Sequence, residues 1–584
     1  YSRGVPYHLH TDILKANFDI RENDADPEIR EKVKRGLKII GVDEVSTLPY
    51  LLELLGVKDS GIDKISLSPE AIKDRIFKAL KRITLKASEI RPLILAYEDL
   101  HWIDKSSEDL LQNVLESIPG AKILMIFTYR PEFVHTWGGK SYHNQVMLNR
   151  LSNRESLAMV ANLLGTAEID RELEDLILDK TEGIPFFIEE FIKSLKDLNF
   201  IENRDKRYFL AKDIQELTLP STIQDVIMAR VDSLPEGAKI LLQTGSAIER
   251  EFNYNLIKWV TGLSQEELLS YLSILKDAEL LYESGIYPES TYIFRHALTR
   301  QVVYDSILTK RKSKLHGEIG NAIEILYKDN IVEQYEVLAE HFITSEDHEK
   351  GAKYSSLAGK KAEKSASFID ALAYGQKRIS CLEKLPQAVD VQKKIIDART
   401  TLGLYFSQLG HLAEAKKTVD PIVDVALQSG YQKRRSQIHT IIGLYNCYIE
   451  EDISKALHHL EEALRISEKI SHLMSLFFAS YWLANALWLN CEFEKAINHI
   501  RKVLDINVAA NSLWGVVAMK CELCRYYNWQ GRVDLGYQTS HEALQIAEES
   551  GDIYSKTWAY VYHGLSLWFK GRFEEALDYS LKGA

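Results

Sequence analysis

The sequence predicts a chain that changes architecture along its length, from an α/β segment with a parallel sheet, through all-α helical and winged-helix domains, to an α-solenoid. Two short apolar runs flank an amphipathic stretch within the first 150 residues, which is the pattern of a β-α-β crossover. Only 30 glycines and 13 prolines occur among 584 residues, so long helices are expected. From about residue 354 one pattern returns every 40 or 41 residues, as in repeat proteins.

The composition describes a large, acidic, globular chain. Apolar residues make up 46% and charged residues 27% of it, and the net charge is −12. This acidic balance argues against a dedicated nucleic-acid binder, because such proteins neutralise phosphates with lysine and arginine. Five cysteines are an odd number in a long chain, which favours reduced thiols and a cytoplasmic location over a disulfide framework.

One segment has the length of a membrane-spanning helix. Residues 470–491 contain no aspartate, glutamate, lysine or arginine, and about 20 apolar residues are enough to cross a bilayer. The segment also carries serine, histidine and asparagine, and its apolar positions coincide with the repeat pattern. We therefore predict a repeat helix here and no membrane partner.

The α/β segment is predicted from two strands and the helix between them. Leu93–Tyr97 and Ile123–Phe127 are short apolar runs, which are typical of parallel strands buried on both faces. The intervening amphipathic helix is expected to begin with Ser106 or Ser107 as its N-cap and to run to about Ile118. A third strand is expected near Gln145–Leu148. Together these elements predict a doubly wound parallel sheet.

The middle of the chain is predicted to be mainly helical. Residues 152–215 are expected to form helices with one break at Gly183-Ile-Pro185. Residues 220–310 are expected to form several helices followed by a hairpin, whose strands would be Leu280–Tyr282 and Thr291–Phe294. Helices followed by such a hairpin indicate a winged helix.

The C-terminal repeats are recognised by small residues where two helices cross closely. Each copy carries a small residue and two further residues four and seven positions later, on the same helix face. The triplets are Ala415/Val419/Ile422, Ala456/Leu460/Ala463, Ala496/Ile500/Val503, Gly536/Ser540/Ala543 and Ala576/Ser580/Gly583. Tight turns are expected at Gly410, Gly531 and Gly571. The pattern resembles tetratricopeptide (TPR) repeats, lengthened beyond their usual period of about 34 residues; the alternative is an unrelated helical bundle.

Two acids follow the first strand directly and form the sharpest local signal of the sequence. They are Glu98 and Asp99, while Thr128 and Arg130 follow the second strand. In P-loop NTPases the corresponding sheet edge faces Mg²⁺ and the γ-phosphate: one carboxylate holds the metal through water, and a second polarises the attacking water. A neighbouring hydroxyl and guanidinium can sense the γ-phosphate. The alternatives are a solvated acidic turn and an arginine paired with an acid.

This interpretation requires a phosphate loop, and the pattern G-x-x-x-x-G-K-[ST] does not occur in the sequence. The nearest match is Gly138-Gly-Lys-Ser141, but Val134 stands where the first glycine is required. No strand feeds this segment into a helix, so we reject the match. Either the loop lies upstream of Tyr1 or the domain has none.

Five motifs occur in a fixed order along the chain. They are Glu98–Asp104, Thr128–Glu132, Thr181–Phe187, Leu219–Val226 and Phe294–Tyr304. Together they resemble the AAA-type ATPase module of STAND signalling NTPases. The chain is most similar to bacterial proteins that join an N-terminal class III adenylate/guanylate cyclase domain, this ATPase and a TPR tail. The resemblance extends over nearly the whole chain, and its first 22 residues are similar to the stretch downstream of a Walker A loop, which favours truncation over degeneracy.

The resemblance implies roles for the residues at the sheet edge. Glu98 and Asp99 would be the Walker B acids, which act in hydrolysis and hold Mg²⁺ through water; either one could be the metal ligand. Thr128 and Arg130 would form sensor 1 at the γ-phosphate of ATP.

Three further residues match nucleotide-sensing positions of the family. Gly183 and Pro185 match a G-x-P motif whose proline packs near the nucleotide base, with Ile184 where asparagine is more usual. His296 matches the winged-helix histidine that reaches the β-phosphate of ADP in related switches. Without the resemblance, Gly183 and Pro185 would be an ordinary helix stop and restart, and His296 a structural residue.

The predicted domains are a partial P-loop NTPase core over residues 1–151, a helical domain over 152–218, a winged helix over 219–310, a helical linker over 311–353 and TPR-like repeats over 354–584. The expected function is an ATP-binding and hydrolysing switch that controls the cyclase domain, with repeats that bind a protein partner and favour self-association. The parent protein would be an ATPase, and this chain, without a P-loop, would be inactive alone. The alternatives are a non-catalytic scaffold with a degenerate NTPase and a transcription regulator with a DNA-binding output.

Overall fold

The structure is a computed structural model that describes residues 6–21, 24–62, 67–135, 137–138, 140–166, 168–197, 200–204, 207–211, 222–285, 287, 289–428 and 430–583. Most of these residues are helical. The chain forms two compact units: one contains residues 1–137, 332–343 and 348–584, and the other contains residues 138–331 and 344–347. Of the helices in the described ranges, none is long and apolar enough to cross a membrane.

The first unit begins with the α/β segment, in which helices precede and separate two strands. Its elements are α1 (His8–Asn17), α2 (Asp26–Ile40), α3 (Leu48–Leu54), α4 (Pro69–Ile90), β1 (Leu93–Tyr97), α5 (Lys105–Leu115) and β2 (Ile123–Phe127). Helices α2, α3 and α4 enclose a core in which Val33, Leu37, Leu51 and Ile76 are completely buried. Apolar residues four positions apart on α2 give that helix the single apolar face that this core requires.

The two strands pair in parallel, as predicted, with Tyr97 opposite Phe127. The prediction that both faces are buried is wrong, because alternate side chains are open to solvent. Ile94, Leu124 and Ile126 are 70%, 56% and 47% exposed. An apolar run predicts a strand but does not reveal whether elements distant in sequence cover its second face. The described residues therefore give a two-stranded parallel sheet, and the larger doubly wound sheet is not shown.

The predicted start and end of α5 are also wrong. Its N-cap is Asp104, whose Oδ1 accepts a hydrogen bond from the Ser107 backbone N–H at 2.8 Å. Ser106 lies inside the first turn, and the helix ends at Leu115 instead of Ile118. Asp104 directly precedes the helix, and its own backbone is extended, which is the conformation that an N-cap residue adopts.

The third strand predicted near Gln145–Leu148 does not form. These residues have no regular backbone structure, and Val146, Met147 and Leu148 are 78%, 75% and 91% exposed. Strands persist when their N–H and C=O groups pair with a neighbour, and this segment pairs with no described strand. A short apolar run alone was insufficient to predict the pairing.

The remainder of the first unit is an α-solenoid of consecutive packed helices. Its helices are α15 (Tyr335–Thr344), α16 (His348–Lys364), α17 (Phe368–Glu383), α18 (Val389–Gln408), α19 (Leu412–Val419), α20 (Val423–Gln428), α21 (Gln432–Tyr448), α22 (Ile453–Ile470), α23 (Leu473–Leu489), α24 (Phe493–Ala509), α25 (Leu513–Trp529), α26 (Val533–Ser550), α27 (Ile553–Phe569) and α28 (Phe573–Gly583). The predicted small residues are buried in every copy; they are Ala415, Ala456, Ala496, Gly536 and Ala576.

The turns of the solenoid repeat with the same spacing. Gly410, Gly531 and Gly571 have φ angles of 77°, 82° and 74°, which confirms the tight turns predicted there. In the two copies without glycine, Glu451 and Cys491 adopt the same left-handed conformation, with φ of 56° and 61°. A second series of left-handed turn residues, which the sequence analysis missed, comprises Ser471, Asn511 and Gly551. The 40-residue period is therefore a property of the backbone as well as of the packing.

Buried polar groups join the α/β segment to the solenoid. Asp552, the fully buried N-cap of α27, accepts hydrogen bonds from the Ser555 backbone N–H at 2.7 Å and from the Ser68 backbone N–H at 2.8 Å. Ser68 is itself the N-cap of α4, and its Oγ accepts from the Ala71 backbone N–H at 3.1 Å. Two helix N-caps thus interlock across the contact.

The second unit contains the remaining helices and two small antiparallel sheets. Its elements are α6 (Asn153–Leu164), α7 (Arg171–Thr181), α8 (Pro185–Asp197), β3 (Ile201–Arg204), β4 (Arg207–Leu210), α9 (Ile223–Asp232), α10 (Glu236–Ile248), β5 (Glu251–Asn253), α11 (Tyr254–Thr261), α12 (Gln265–Asp277), β6 (Leu281–Ser284), β7 (Thr291–Phe294), α13 (Ala297–Asp305) and α14 (Thr309–Leu326). The predicted hairpin is confirmed as β6 and β7, which form a sheet of order β5-β7-β6. The predicted break at Gly183-Ile-Pro185 is confirmed between α7 and α8.

One part of the predicted helical region is instead a hairpin. Strands β3 and β4 pair with Ile201 opposite Leu210, within residues expected to be helical. Ile201, Tyr208 and Leu210 pack on the core formed by α6, α7 and α8. Tyr208 and Leu210 lie two positions apart on β4, so a strand lets both face that core. The predicted motif residues Leu219, Pro220 and Ser221, and Gly139 of the rejected loop match, lie outside the described residues.

Candidate functional site

The parallel pairing of β1 and β2 brings the predicted acids and the predicted sensor residues to one sheet edge. Glu98 and Asp99 follow β1, and Thr128 follows β2 at the matching position of the register. Because the carboxyl ends of parallel strands point the same way, the segments after both strands leave the sheet together. Binding sites in parallel α/β sheets lie at this edge.

Thr128 holds the acidic turn in place through three hydrogen bonds. Its backbone N–H donates to the Tyr97 carbonyl at 3.0 Å, and its carbonyl accepts from the Leu100 N–H at 2.9 Å. Its Oγ1 accepts from the Asp99 backbone N–H at 3.0 Å. Asp99 adopts the left-handed conformation, with φ 55° and ψ 41°, which aspartate tolerates better than most residues. The threonine hydroxyl therefore fixes the backbone from which both carboxylates project.

The charged groups of this edge are open to solvent. Glu98 is exposed, and within the described part of the chain no hydrogen bond or ion pair engages its carboxylate; Asp99 is half-buried. The Arg130 guanidinium is exposed and lies 6.0 Å from the ring centroid of Trp102, a residue of the same motif as the acids. The segments after β1 and β2 therefore carry two carboxylates, one hydroxyl and one guanidinium, which are groups that can bind a hydrated divalent cation and an anion.

An aromatic cluster supports the segment that follows β2. The Tyr129 hydroxyl is 3.1 Å from His135 Nε2, and His135 stacks on Trp137 with ring centroids 5.0 Å apart. Trp137 is 4% exposed and contacts Phe127 at the end of β2. The sequence analysis missed this cluster, although the aromatic residues at alternate positions after Pro131 were a visible signal. Their packing positions the backbone that carries Thr128 and Arg130.

In the second unit, Gly183 has a clear local structural role. Its φ angle is 72°, and its carbonyl accepts a hydrogen bond from the Leu151 N–H at 2.8 Å. A Cβ at this position would lie 2.2 Å from the Leu151 carbonyl oxygen. Pro185 is the first residue of α8, where its missing N–H has no cost. The motif is therefore a helix stop and restart, whether or not it also contacts a ligand.

His296 lies beside this motif within the same unit. Its ring centroid is 4.2 Å from that of Phe186, the residue after Pro185. Its Nε2 is buried and has no hydrogen-bond partner among the described residues. Burial lowers the pKa of His296, so the imidazole is neutral at pH 7. Buried polar atoms without a partner are uncommon in proteins, which makes this ring nitrogen a candidate for contact with a ligand.

Ion pairs tie the surroundings of His296 together. Arg230 pairs with Glu190 in a buried contact between α9 and α8, and its Nη2 donates to the Ala278 carbonyl at 2.6 Å. Glu279 pairs with Arg295 at 2.6 Å and with Lys193 at 2.5 Å. The hydrogen bond from Lys193 lowers the pKa of Glu279. These contacts link α8 to Arg295, the residue before His296.

Comparison with known proteins gives limited matches. Residues 152–208 match the family model of a domain of unknown function, DUF8739. The chain is 22% identical over 393 residues to an uncharacterized protein of Rhizobium meliloti (strain 1021), covering 66% of this chain and 37% of that protein. The chain therefore spans little more than a third of the length of this relative.

Two solved structures are similar to this chain at low sequence identity. One is a Signal Transduction ATPase with Numerous Domains (STAND) protein with a tetratricopeptide repeat sensor from Pyrococcus horikoshii, at 16% identity over 92% of this chain and 75% of that chain, with a TM-score of 0.44. The other is aspartyl phosphate phosphatase F from Bacillus subtilis, at 9% identity over 75% of this chain and 95% of that chain, with a TM-score of 0.32. Values of this size do not carry a function from one protein to another.

Proposed function

We propose that this chain is the switch portion of an ATP-binding signalling protein, with its Mg²⁺ and γ-phosphate site at the edge formed after β1 and β2. The observation that carries the proposal is the parallel pairing of these strands, with the Asp99 N–H bonded to the Thr128 hydroxyl at 3.0 Å. This hydrogen bond ties Thr128 to the turn that carries both acids. The five ordered sequence motifs give independent support.

The residues of the turn fit a hydrated Mg²⁺ ion. Glu98 offers an exposed carboxylate that no described cation neutralises, and Asp99 is its neighbour on a fixed backbone. Such carboxylates hold Mg²⁺ through its water ligands. When bound, the metal would neutralise charge on the phosphates of ATP. In this proposal Arg130 supplies a second positive charge at this edge, and the second carboxylate would accept a proton from water.

The fit is incomplete at the other phosphates, because the sequence contains no phosphate-loop pattern. In this proposal a segment outside the 584 residues supplies that loop. The open face of the sheet supports the idea: Ile94 and Leu124 are 70% and 56% exposed, and apolar faces of parallel sheets are normally covered. The chain by itself should therefore bind ATP weakly, and tight binding by these 584 residues would contradict this part of the proposal.

We further propose that Gly183, Pro185 and His296 sense the nucleotide state, and that ADP holds the switch in its resting form. The unpartnered Nε2 of His296 supports this role. The solenoid would bind a protein partner and favour opening and self-association. The proposed output is a class III cyclase domain, for which the support is the sequence resemblance alone.

The test of this assignment is ADP release from the full-length parent protein. His296→Ala should raise the ADP dissociation rate, because it removes the proposed hydrogen bond to phosphate. His458→Ala, an exposed histidine of α22, is the control and should leave the rate unchanged. Equal ADP dissociation rates in the His296 variant and the unmodified protein would contradict the sensing role.

A second candidate is a non-catalytic scaffold, in which the solenoid binds partners and the NTPase is degenerate. The observation that favours it is the absence of a phosphate-loop pattern from the sequence. Equilibrium binding of ATP and ADP to the full-length parent separates the two. The switch predicts nucleotide binding that depends on Mg²⁺ for ATP, whereas the scaffold predicts none.

A further inference from the structure

A cluster of buried carboxylates and hydroxyls lies where α5 of the α/β segment meets α17 of the solenoid, within the first unit. We call it the Asp370 cluster; it consists of Asp104, Ser106, Ser367 and Asp370. Ser106 Oγ donates to Asp370 Oδ2 at 3.0 Å and is also within hydrogen-bond distance of Ser367 Oγ. Ser367 Oγ donates to the same Asp370 oxygen. Ser106 belongs to α5, so this contact lies next to the acidic turn.

Both carboxylates of the cluster are buried without a cationic partner. Asp104 and Asp370 are 4% and 7% exposed. The donors to Asp104 are the backbone N–H groups of Ser107 and Tyr7, at 2.8 and 3.2 Å, and the donors to Asp370 are the two serine hydroxyls. Within the described ranges, neither acid forms an ion pair. Burying an unpaired carboxylate in its charged form is costly, so the environment favours the neutral acid.

The acids around the cluster are different, because each one has a lysine. Asp109 pairs with Lys73 at 3.0 Å, Glu336 with Lys361 at 3.0 Å, and Glu340 with Lys377. The titratable groups that face the cluster are Tyr7, Lys73, Asp109, Glu336, Glu340, Tyr374 and Lys377. The lysines among them are therefore already paired with other carboxylates. Their charges act on Asp370 only through longer-range electrostatic attraction.

A count of protons leads to the same conclusion as the burial. Three oxygen atoms, Ser106 Oγ, Ser367 Oγ and Asp370 Oδ2, lie pairwise within hydrogen-bond distance. With Asp370 neutral, one serine can accept the carboxyl proton and donate its own proton to the other serine, so that each of the three contacts holds a proton. With Asp370 ionised, the two serine oxygens face each other without a proton between them.

We propose that the contact between α5 and the solenoid is proton-linked: it closes with a proton taken from solvent onto the Asp370 carboxylate, and it opens as pH rises and this proton is released. Burial raises the pKa of Asp370, and burial together with the neighbouring Asp370 raises that of Asp104. The inference does not depend on nucleotide binding. If the proposed switch is also correct, pH would bias how firmly the solenoid holds the helix that follows the acidic turn.

The direction of the effect follows from linkage. A solvated aspartate has a pKa of about 3.9, and the pKa in the closed contact is higher. The stabilisation is complete below the solvated value and is lost as pH rises through the raised one. Between the two values, each pH unit should shift the closing equilibrium up to about tenfold per proton.

The test is hydrogen–deuterium exchange of the α5 and α17 amides across a pH series, corrected for intrinsic exchange rates. In the unmodified chain the corrected opening constant should rise with pH by up to about tenfold per unit. Asp370→Asn should have a clearly shallower slope, because its amide does not titrate and only Asp104 remains to take up a proton. Asp109→Asn is the control: it changes an acid of α5 that is paired with a lysine, and it should keep the slope of the unmodified chain. An unchanged slope in Asp370→Asn would overturn the proposal.

A second measurement covers the case in which Asp370→Asn fails to fold. The infrared difference spectrum between the unmodified chain and Ser106→Ala, at a pH one to two units above the ordinary aspartate pKa of about 3.9, should show the carbonyl stretch of a protonated carboxylic acid shifted in the variant, because that acid loses a hydrogen-bond partner. Ser106→Ala removes one oxygen of the ring but keeps the Asp370 side chain. The absence of any protonated carboxyl band in the unmodified chain would contradict the inference. This outcome does not depend on whether the protein binds a nucleotide.

Discussion

The solenoid and the two-stranded sheet of the first unit differ in how completely they cover their apolar side chains. In the solenoid, Ala456, Leu460 and Ile500 are at most 1% exposed, because each helix is covered by helices that follow closely along the chain. In the sheet, Ile94 and Leu124 are 70% and 56% exposed. In a repeat, neighbouring helices along the chain cover the apolar side chains. In a parallel sheet, covering both faces requires elements that are distant in sequence.

The largest expected effect is in the solenoid core. Leu460→Ala should lower the free energy of unfolding by about 2–5 kcal/mol, because it leaves a cavity in a packed interior. The leucine contacts α21 closely: a Cβ on Gly443 would lie 2.6 Å from its Cγ. Leu489→Ala, at a position that is 40% exposed, is the matched control and should change stability by no more than about 0.5 kcal/mol. Urea denaturation of both variants measures the difference, and equal losses would contradict the assigned packing.

The next largest effect on stability is expected at the contact between the α/β segment and the solenoid. Asp552→Ala should cost about 1–3 kcal/mol, since it removes the cap of α27 and leaves the buried Ser68 N–H without its acceptor. Asp452→Ala is the control, because Asp452 caps α22 through Lys455 at 3.0 Å and does not bridge two segments. Exchange of the α4 amides should increase in the Asp552 variant alone. Similar exchange in both variants would mean that the interlocked caps contribute nothing across the joint.

A smaller effect is expected at the acidic turn. Thr128→Val removes the hydroxyl that accepts from the Asp99 N–H at 3.0 Å, so exchange of that amide should increase and stability should fall by about 0.5–1.5 kcal/mol. Thr128→Ser keeps the acceptor and should retain the protection. If valine and serine behave alike, the hydroxyl does not fix the turn.

The smallest effect is expected on the open face of the sheet. Ile94→Ala should change the stability of the 584-residue chain by no more than about 0.5 kcal/mol, because the side chain is already largely in solvent. In the full-length parent the same change should cost about 2–5 kcal/mol if another segment covers this face. Equally small effects in both proteins would indicate that the face stays open.

The sequence predicted the repeats well because small residues and turns recur at a fixed spacing. The backbone at Glu451 and Cys491 was not predictable from residue type, since left-handed conformation there follows from the position in the repeat. The parallel pairing of β1 and β2 was predictable from the apolar runs and the helix between them. The exposure of Ile94 was not, because it depends on whether a distant element packs on it.

The candidate site was also predicted only in part, because local sequence patterns do not reveal contacts between distant segments. Motif order identified Glu98, Asp99, Thr128 and Arg130, and the structure brings these four to one edge. The aromatic support at Trp137 and the proton-sharing cluster at Asp370 were missed, because both depend on contacts between segments that are far apart in sequence. The structural role of Gly183 follows from its close approach to the Leu151 carbonyl, which no local pattern reveals.

The central claim is that the acids after β1 act on a Mg²⁺-bound nucleotide. The most direct test is ATP turnover by the full-length parent carrying Glu98→Gln and Asp99→Asn together. The account predicts that ATP remains bound while turnover falls at least about 100-fold, the usual effect of losing a positioned acid–base group. Glu116→Gln, an exposed acid at the end of α5, should have normal turnover. Turnover in the double variant equal to that of the unmodified protein would contradict the account.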